Sequence, residues 1–459
     1  MLYGNCTVVL INVYKGDVNF MVKKAIKSLK NINYKLFIAL LIMGLCPTIY
    51  TTIRIYWLGD LPDGYSYSIA GQLSWVNLIY EIISEAIILP LFYFIGKALS
   101  NKKELINRVK TGLIIALGLY FLISGCVIIF AEPLLKVMAI SPNILRQSIK
   151  YIRLEAIANI FTVLANFVLI VLITCNKDKY VYLITGLKLI LSIVLDILLI
   201  SSLKVSFNLG VNGIAISNII INIIIFMVIL FVLSKEGIDI FNKEKLNFTW
   251  TKELIKVGGI SGIESFVRNI FYMIMISRMV NVVGEQGTYW VANNFIWGWL
   301  LLPIIQLGEL IKQDVATNKN SIKDNTLGYF TITIIICLLW IISIPLYKPF
   351  MKYILNYTDI DKLFNLVLIL LGSYLFYAIQ NVFDSTFYGL GKTNYMLFES
   401  IVTNVIYYGI CFILYISNIF KPSLTNIAVM FGIGNIFDSI VSGIAYWYLL
   451  KKNRINAFN

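Results

Sequence analysis

The sequence of 459 residues contains no histidine, and only 14% of its residues are charged. Without histidine, the chain has no imidazole for general-base catalysis, for proton relay or for binding zinc. Soluble domains carry roughly a quarter of charged residues, so this chain has too little charge to cover the surfaces of soluble domains. We therefore expect a protein that is neither soluble nor an enzyme.

The spacing of the cysteines and the lack of a complete nucleotide-binding motif exclude metal, redox and nucleotide sites. The six cysteines are scattered along the chain: Cys6, Cys46, Cys126, Cys175, Cys337 and Cys411. None has the CxxC spacing of metal cages or redox motifs, and no disulfide framework is predicted. Gly391-Lys392-Thr393 resembles the end of a phosphate-binding loop, but Thr386 stands where that motif requires glycine. We predict no cofactor and no metal.

The apolar majority predicts a polytopic membrane protein. Apolar residues make up 59% of the chain, and the mean hydropathy is +0.82. Because a helix needs about 20 apolar residues to cross a bilayer, the chain can cross about a dozen times. Polar turns divide the apolar runs into twelve predicted helices: 36–58, 66–97, 109–131, 145–174, 180–203, 210–234, 252–283, 287–311, 326–347, 361–389, 394–418 and 423–450. The predicted fold is all-α.

The longest internal polar stretch divides the predicted helices into six and six. It covers residues 235–251 and separates a first lobe (36–234) from a second lobe (252–450). A cytoplasmic tail, 451–459, follows the second lobe. The basic segment 1–35 precedes the first lobe, and we expect an interfacial helix from Met21 onward with Ile26, Leu29 and Ile32 against lipid.

Lysine and arginine indicate how the chain is oriented. Of the 38 basic residues, 24 lie in the segments on one side of the predicted helices and seven on the other. Because positively charged loops remain in the cytoplasm, we expect both termini there, in a bacterial cytoplasmic (inner) membrane. The net charge of +14 therefore indicates anionic lipid headgroups as partners rather than nucleic acid.

The two halves of the sequence resemble each other at an offset near 215 residues. At this offset Gly44 coincides with Gly259, Asn166 with Asn381, Lys177 with Lys392, and Tyr180 with Tyr395. After a small shift, Pro90 and Pro303 correspond in predicted helices 2 and 8. Because each half has six helices, the halves insert with the same orientation and are related by a pseudo-two-fold axis along the membrane normal. Two such lobes leave a central cleft.

Several motifs resemble those of the multidrug and toxin extrusion (MATE) family. Leu209-Gly-Val-Asn-Gly-Ile-Ala-Ile-Ser217 is similar to the family's entry to helix 6. Gly258-Gly-Ile-Ser-Gly-Ile-Glu264 is similar to the start of its helix 7, with Ile260 in place of the usual proline. Ala378-Ile-Gln380 and the following 387–393 resemble the end of its helix 10. The resemblance covers roughly residues 36–450 and implies an antiporter fold. The wider superfamily also contains flippases of lipid-linked oligosaccharides.

Three carboxylates that members of this family use for ion coupling are absent. By the resemblance, Arg54 stands in place of an Asp in helix 1, Arg268 in place of a Glu in helix 7, and Tyr377 in place of an Asp in helix 10. The family's ion-coupling schemes therefore cannot be transferred to this chain residue by residue.

Ionisable side chains inside the predicted helices are candidate functional sites, because a charge at mid-bilayer costs ~2.5–3.5 kcal/mol. Glu264 and Arg268 lie at i and i+4 on helix 7, where they form either a structural pair or part of a site. Glu81 and Glu85 have the same spacing on helix 2 and repel each other. We expect them to hold a proton, to share a cation or to pair with a basic residue of another helix.

Helix 10 carries a polar face that either joins helices by hydrogen bonds or lines a water-filled cavity. Near helix ends, Arg54, Arg278 and Glu309 are expected to extend toward the interface, whereas Asp196 and Asp438 are isolated acids without an assigned role. The candidate substrate- or ion-binding residues are Glu264, Arg268, Glu81, Glu85, Tyr377, Gln380, Asn381, Asp384 and Arg54.

Together, these features predict a secondary transporter that functions as a monomer. It would export amphipathic, in part cationic, small molecules in exchange for H⁺ or Na⁺. Two alternatives remain open. A flippase of lipid-linked oligosaccharides would need several arginines clustered in the cleft, and a non-transporting membrane scaffold or receptor would use the buried acids for structure only.

Overall fold

A computed structural model describes residues 23–455 of the chain, except for 63, 176, 239 and 241–244. It is 85% helix, and the described residues contain no strand. The long helices are α1 Tyr34–Gly59, α2 Ser66–Lys97, α3 Lys102–Val137, α4 Pro142–Thr174, α5 Asp178–Leu199, α6 Val211–Lys235, α7 251–282, α8 Gln286–Leu300 with Leu302–Thr317, α9 Ser321–Ile342, α10 Ile360–Gly389, α11 Thr393–Ile416 and α12 Leu424–Lys452. The predicted all-α fold is confirmed.

Ten of these helices are each long and apolar enough to cross a membrane, judged by length and composition. The two halves of α8 meet at an angle of 53° and together form an eleventh candidate. Helix α7 does not reach the same hydropathy, because Glu253, Lys256, Glu264 and Arg268 lie along it. Such a polar helix is stable within a membrane only where protein or a water-filled cavity surrounds its charged face.

Most observed helix ends lie within a few residues of the predicted ones. Helix α3 is longer than predicted and begins at Lys102, because the Asn101 side chain accepts hydrogen bonds from the backbone N–H groups of Lys103 and Glu104 and so caps the helix in polar sequence. Helix α9 ends at Ile342, and a short separate helix, Ile344–Tyr353, follows it. Polar capping rather than hydropathy determines where α3 begins.

The helices form two lobes, each with its own apolar core. Helices α2–α6 surround the first core and α8–α12 surround the second. The first helix of each half packs against both cores. Helix α1 contributes Leu58 to the first core and Ile55 to the second, and α7 contributes Leu254 to the first and Met279 to the second. The predicted two-lobe arrangement of similar halves is confirmed.

Close glycine contacts between the lobes follow the same symmetry. Gly44 of α1 lies against α8, where an added Cβ would be 2.6 Å from Leu302 Cδ1. Gly258 of α7 lies against α2, where an added Cβ would be 1.7 Å from the carbonyl oxygen of Ala86. The close contact thus lies at Gly258, one residue before the Gly259 that the sequence matches with Gly44, and no side chain or neighbouring backbone lies within 4 Å of a Cβ at Gly259.

The N-terminal segment packs partly against the protein. Ile26 is 49% exposed, as expected for a residue facing lipid, but Ile32 is only 4% exposed and belongs to the second core. Ser28 Oγ accepts a hydrogen bond of 2.8 Å from the backbone N–H of Gly328. The expectation that Ile32 faces lipid is therefore wrong, because α9 covers it. Residues 1–22, including Met21, lie outside the described residues.

Candidate functional site

A cavity of about 600 Å³ lies between the two lobes. Helix α2 of the first lobe contributes one wall, and α7, α8, α10, α11 and α12 contribute the others. The lining extends to Glu309, Lys312 and Tyr388, near the ends of α8 and α10 that precede the basic loops. The cavity therefore belongs mainly to the second lobe and reaches toward the side of the basic loops.

Arg268 of α7 connects the two lobes by binding three carboxylates. Its Nε donates to Glu264 Oε1 at 3.1 Å, its Nη1 to Glu81 Oε1 at 3.2 Å and its Nη2 to Glu85 Oε1 at 3.0 Å. Ser400 Oγ of α11 also donates to Glu264 Oε1, at 2.6 Å. The predicted pairing of Glu264 with Arg268 is confirmed, and Glu81 and Glu85 share an arginine of another helix. One guanidinium among three carboxylates leaves the group negatively charged when all are ionised.

A second group of carboxylates lies between α10, α11 and α12. Gln380 Nε2 donates to Asp438 Oδ2 at 2.7 Å and to Asp384 Oδ2 at 3.2 Å. Thr403 Oγ1 donates to Asp438 Oδ1 at 2.6 Å, and Ser442 Oγ donates to Asp384 Oδ1 at 2.7 Å. These donors are uncharged, so they stabilise the carboxylates without neutralising them.

Aromatic side chains line much of the remaining wall. The rings of Trp297 and Tyr377 lie 5.6 Å apart, and those of Tyr272 and Phe431 lie 5.9 Å apart. All four side chains border the cavity. The faces of such rings attract cations and also accept apolar groups, so this wall suits a ligand that is both positively charged and hydrophobic.

Uncharged hydrogen bonds join the lobes at the end away from the basic loops. Gln72 Nε2 of α2 donates to Asn281 Oδ1 of α7 at 2.9 Å, and Asn281 Nδ2 donates to Gln72 Oε1 at 3.2 Å. Gln286 Nε2 of α8 donates to the carbonyl oxygen of Gly71 at 2.9 Å. The cavity thus lies between this contact, here called the amide contact, and the basic loops.

Solved structures of MATE transporters share the fold of this chain. An inward-facing multidrug resistance MATE transporter of the MOP superfamily superposes with a TM-score of 0.72 at 19% identity, over 90% of this chain and 95% of that one. The chain has the MATE fold. A variant of the Vibrio cholerae MATE transporter VcmN has a TM-score of 0.68 at 14% identity, over 95% and 99% of the two chains. A MOP superfamily transporter from Pyrococcus furiosus has a TM-score of 0.68 at 18% identity, over 95% and 98%.

No protein-family model and no curated protein matches the sequence. The resemblance to the MATE family that the motifs indicate is therefore confirmed by the fold, at low sequence identity. A fold can be retained while the sequence diverges, because packing tolerates extensive apolar substitution when the pattern of apolar and polar positions is kept.

Eight of the nine predicted site residues line the central cavity of this MATE fold: Glu81, Glu85, Glu264, Arg268, Tyr377, Gln380, Asn381 and Asp384. Asn381 Nδ2 also donates to the carbonyl oxygen of Ile304 at 2.8 Å, which attaches α10 to α8. The polar face of α10 therefore both lines the cavity and joins helices.

Arg54 lies apart from this cavity and lines a smaller one of about 280 Å³ beside α1. Its Nε donates to Asp196 Oδ2 at 2.9 Å and its Nη2 to Asp196 Oδ1 at 3.1 Å. Arg54 is 8% exposed and Asp196 is fully buried, so the expectation that Arg54 extends to the interface is wrong. Arg278 donates to the carbonyl oxygen of Val137, and Glu309 accepts from Lys312 at 2.7 Å.

Glu399, Ser400 and Thr403 of α11 are cavity residues that the sequence analysis did not single out. Glu399 is only 4% exposed. The signal that identifies it is the same as for Glu81 and Glu85, an acid inside an apolar run. Its role depends on α10 and α12, which the sequence of α11 alone does not bring beside it.

Proposed function

We propose that the chain is a secondary active transporter that exports amphipathic organic cations in exchange for H⁺ or Na⁺. The observation that carries this proposal is the charge of the central cavity. Seven carboxylates border it, and they are Glu81, Glu85, Glu264, Glu309, Asp384, Glu399 and Asp438. The guanidinium of Arg268 binds three of them and offsets only one negative charge. The ionised group therefore stays negative, which favours a positively charged ligand.

The aromatic wall supports the amphipathic character of the substrate. A hydrophobic cation can place its charge near the carboxylates and its apolar part against Trp297 or Tyr377, and ring faces accept many ligand shapes. A single titration or ion-binding event at the carboxylates can then shift the equilibrium between two lobe arrangements by its difference in affinity for the two.

The arrangement of the lobes supports alternating access. The amide contact holds the lobes together at one end, and the cavity reaches toward the basic loops. With those loops in the cytoplasm of a bacterial inner membrane, as the positive-inside rule predicts, the structure corresponds to a state that receives substrate from the cytoplasm. The chain contains both lobes, so a monomer suffices for this cycle.

The flippase alternative receives less support from the same side chains. A lipid pyrophosphate requires several free guanidinium groups, but Arg268 is bound by three carboxylates and Arg54 by Asp196. A scaffold or receptor that does not transport would not require a cavity whose carboxylates accept hydrogen bonds from uncharged donors. Transport assays separate all three functions.

The proposal is tested with the purified full chain in proteoliposomes. An acidic or Na⁺-loaded lumen should drive uptake of ethidium with the membrane potential clamped, because outward flow of the ion would power inward movement of the cation. A combined variant, Glu81→Gln, Glu85→Gln, Glu264→Gln and Asp384→Asn, should lose this uptake. Uptake that neither gradient drives, or that persists in the combined variant, would contradict the proposal.

A further inference from the structure

A second cavity lies beside the central one and differs from it in charge. It has a volume of about 280 Å³, and α1, α2 and α8 form most of its wall. Ser74, Asn293 and Trp297 border both cavities, so the two are adjacent. Seven carboxylates border the central cavity, whereas Arg54 is the one charged residue among the described residues around the small cavity.

The guanidinium of Arg54 has a donor that the protein does not use. Its Nε and Nη2 donate to the two carboxylate oxygens of Asp196, whereas Nη1 donates to no acceptor in the part of the chain that the structure describes. Arg54 is 8% exposed, and a buried donor without an acceptor is unfavourable. An oxygen atom of a ligand in the small cavity would supply the missing acceptor.

The ion pair determines which kind of oxygen suits this donor. Asp196 is fully buried and offsets the positive charge of Arg54, so the two together carry no net charge. An anion would lose its hydration without gaining a net attraction. An uncharged carbonyl oxygen requires only the N–H groups, and its removal from water costs far less. The free side of Arg54 therefore favours a carbonyl or amide group over a carboxylate or phosphate.

Three asparagines add donors and acceptors to the same cavity. Asn77 of α2 is an exposed residue that borders it. Asn294 Nδ2 of α8 donates to the carbonyl oxygen of Trp290 at 2.8 Å. Asn293 Oδ1 is buried and accepts no hydrogen bond from the described residues. Because an amide side chain both donates and accepts, these residues match the carbonyl and N–H groups of an amide.

We propose that the small cavity binds the uncharged amide or carbonyl group of a substrate whose positive charge lies in the central cavity. This inference rests on the proposed function and specifies its substrate class as an organic cation joined by an apolar linker to a neutral hydrogen-bonding group. Trp297 borders both cavities, and its indole ring offers an apolar surface to the linker.

Matched phosphonium ions test the inference. Hexyltriphenylphosphonium carries the charge and an apolar chain, and (5-carbamoylpentyl)triphenylphosphonium has a chain of the same length that ends in a carboxamide. Each competes with radiolabelled tetraphenylphosphonium for the purified full chain in detergent. The amide preference is the Kd of the hexyl compound divided by the Kd of the carboxamide. Comparison of variants with the wild type removes the difference in how the two compounds enter detergent micelles.

Variants of the small cavity should reduce the amide preference. Arg54→Met combined with Asp196→Leu removes the donor and leaves no unpaired charge, and the preference should fall roughly five- to tenfold, as the loss of one or two hydrogen bonds predicts. Asn77→Ala should lower it about two- to threefold. Asn143→Ala, at an exposed position of α4 outside both cavities, is the matched control and should leave the preference unchanged.

The outcomes separate this inference from the proposed function. An amide preference that stays equal to that of the wild type in the double variant would overturn the inference. If the double variant does not fold, an unchanged preference in Asn77→Ala overturns it instead. The carboxylate analogue, (5-carboxypentyl)triphenylphosphonium, should bind more weakly than the carboxamide, and tighter binding would contradict a site for uncharged groups. If the wild-type chain does not bind tetraphenylphosphonium at all, the proposed function itself fails.

Discussion

At the scale of single residues, one guanidinium organises the centre of the molecule. The planar guanidinium of arginine places its N–H donors in fixed directions. In Arg268 these N–H groups donate to carboxylates of α2 and α7. A lysine carries its three N–H donors on a single nitrogen and lacks the separate nitrogens that Arg268 directs at the three carboxylates. The arginine that replaces the expected helix-7 Glu therefore carries a structural role as well as a charge.

Replacing Arg268 with glutamine should destabilise the chain by about 1–3 kcal/mol, because Glu81, Glu85 and Glu264 lose their shared donor. The value lies below the ~3–5 kcal/mol typical of fully buried ion pairs, since the Arg268 side chain is 40% exposed to the cavity. Thermal unfolding in detergent measures the effect. Arg146→Gln, at an exposed position, should shift the midpoint little, and equal shifts in both variants would contradict the prediction.

The buried pair of Arg54 and Asp196 should behave as a structural unit. Their side chains are 10% and 1% exposed, so Arg54→Met or Asp196→Leu alone should destabilise by ~3–5 kcal/mol, because each leaves one unpaired charge. The double variant should recover most of that loss and keep ethidium transport. Additive losses in a double-mutant cycle would show that the two residues do not act as a pair.

Local spacing predicts contacts within one helix but not those between helices. The i, i+4 pairs of α2 and α7 are visible in the sequence, and their interactions follow from repulsion or attraction at that spacing. The partners Arg54 and Asp196 are 142 positions apart, and only the packing of α1 against α5 brings them together. The sequence does not predict Glu399 as a cavity residue for the same reason, since the residues around it belong to α10 and α12.

At the scale of secondary structure elements, the contact between α2 and α7 depends on glycine. Gly258→Ala should destabilise by ~1–3 kcal/mol and impair transport, because its Cβ would collide with the backbone of Ala86 and push the two helices apart. Gly259→Ala is the matched control on the same helix, with open space around its Cβ, and should be neutral or slightly stabilising. Similar thermal midpoints for the two variants would be inconsistent with a close contact.

The apolar runs predict the number and order of the helices because a bilayer crossing imposes a minimum length. They do not predict the bend of α8, which follows the wide π-helical turn Ile296–Leu300 and precedes Pro303. A similar wide turn, Ser84–Ile88, precedes Pro90 in α2. The two prolines that correspond in the sequence repeat thus follow equivalent wide turns in α2 and α8. The sequence alone shows the prolines but not the turns.

At the scale of the whole molecule, the two lobes should move as units. Spin labels at Tyr65 and Val282, both exposed beside the amide contact, should separate when the cavity opens on that side. Labels at Lys103 and Lys319, exposed near the basic loops, should approach each other under the same condition. Pulsed electron–electron double resonance, on chains whose native cysteines are replaced, measures both distances across a pH range. If both distances increase or both decrease, the result contradicts alternating access.

The position of Arg268 has a consequence for affinity. Under the proposed function, the chain carries its own cation at the place where the charge of a substrate would bind, so this guanidinium competes with the substrate for the carboxylates. An incoming cation must displace that guanidinium from at least one carboxylate. The apparent affinity of the chain for the cation therefore equals the intrinsic affinity multiplied by the fraction of time the carboxylate is free. Under the proposed function, we expect each substrate to bind loosely and to be released readily, which favours turnover over retention.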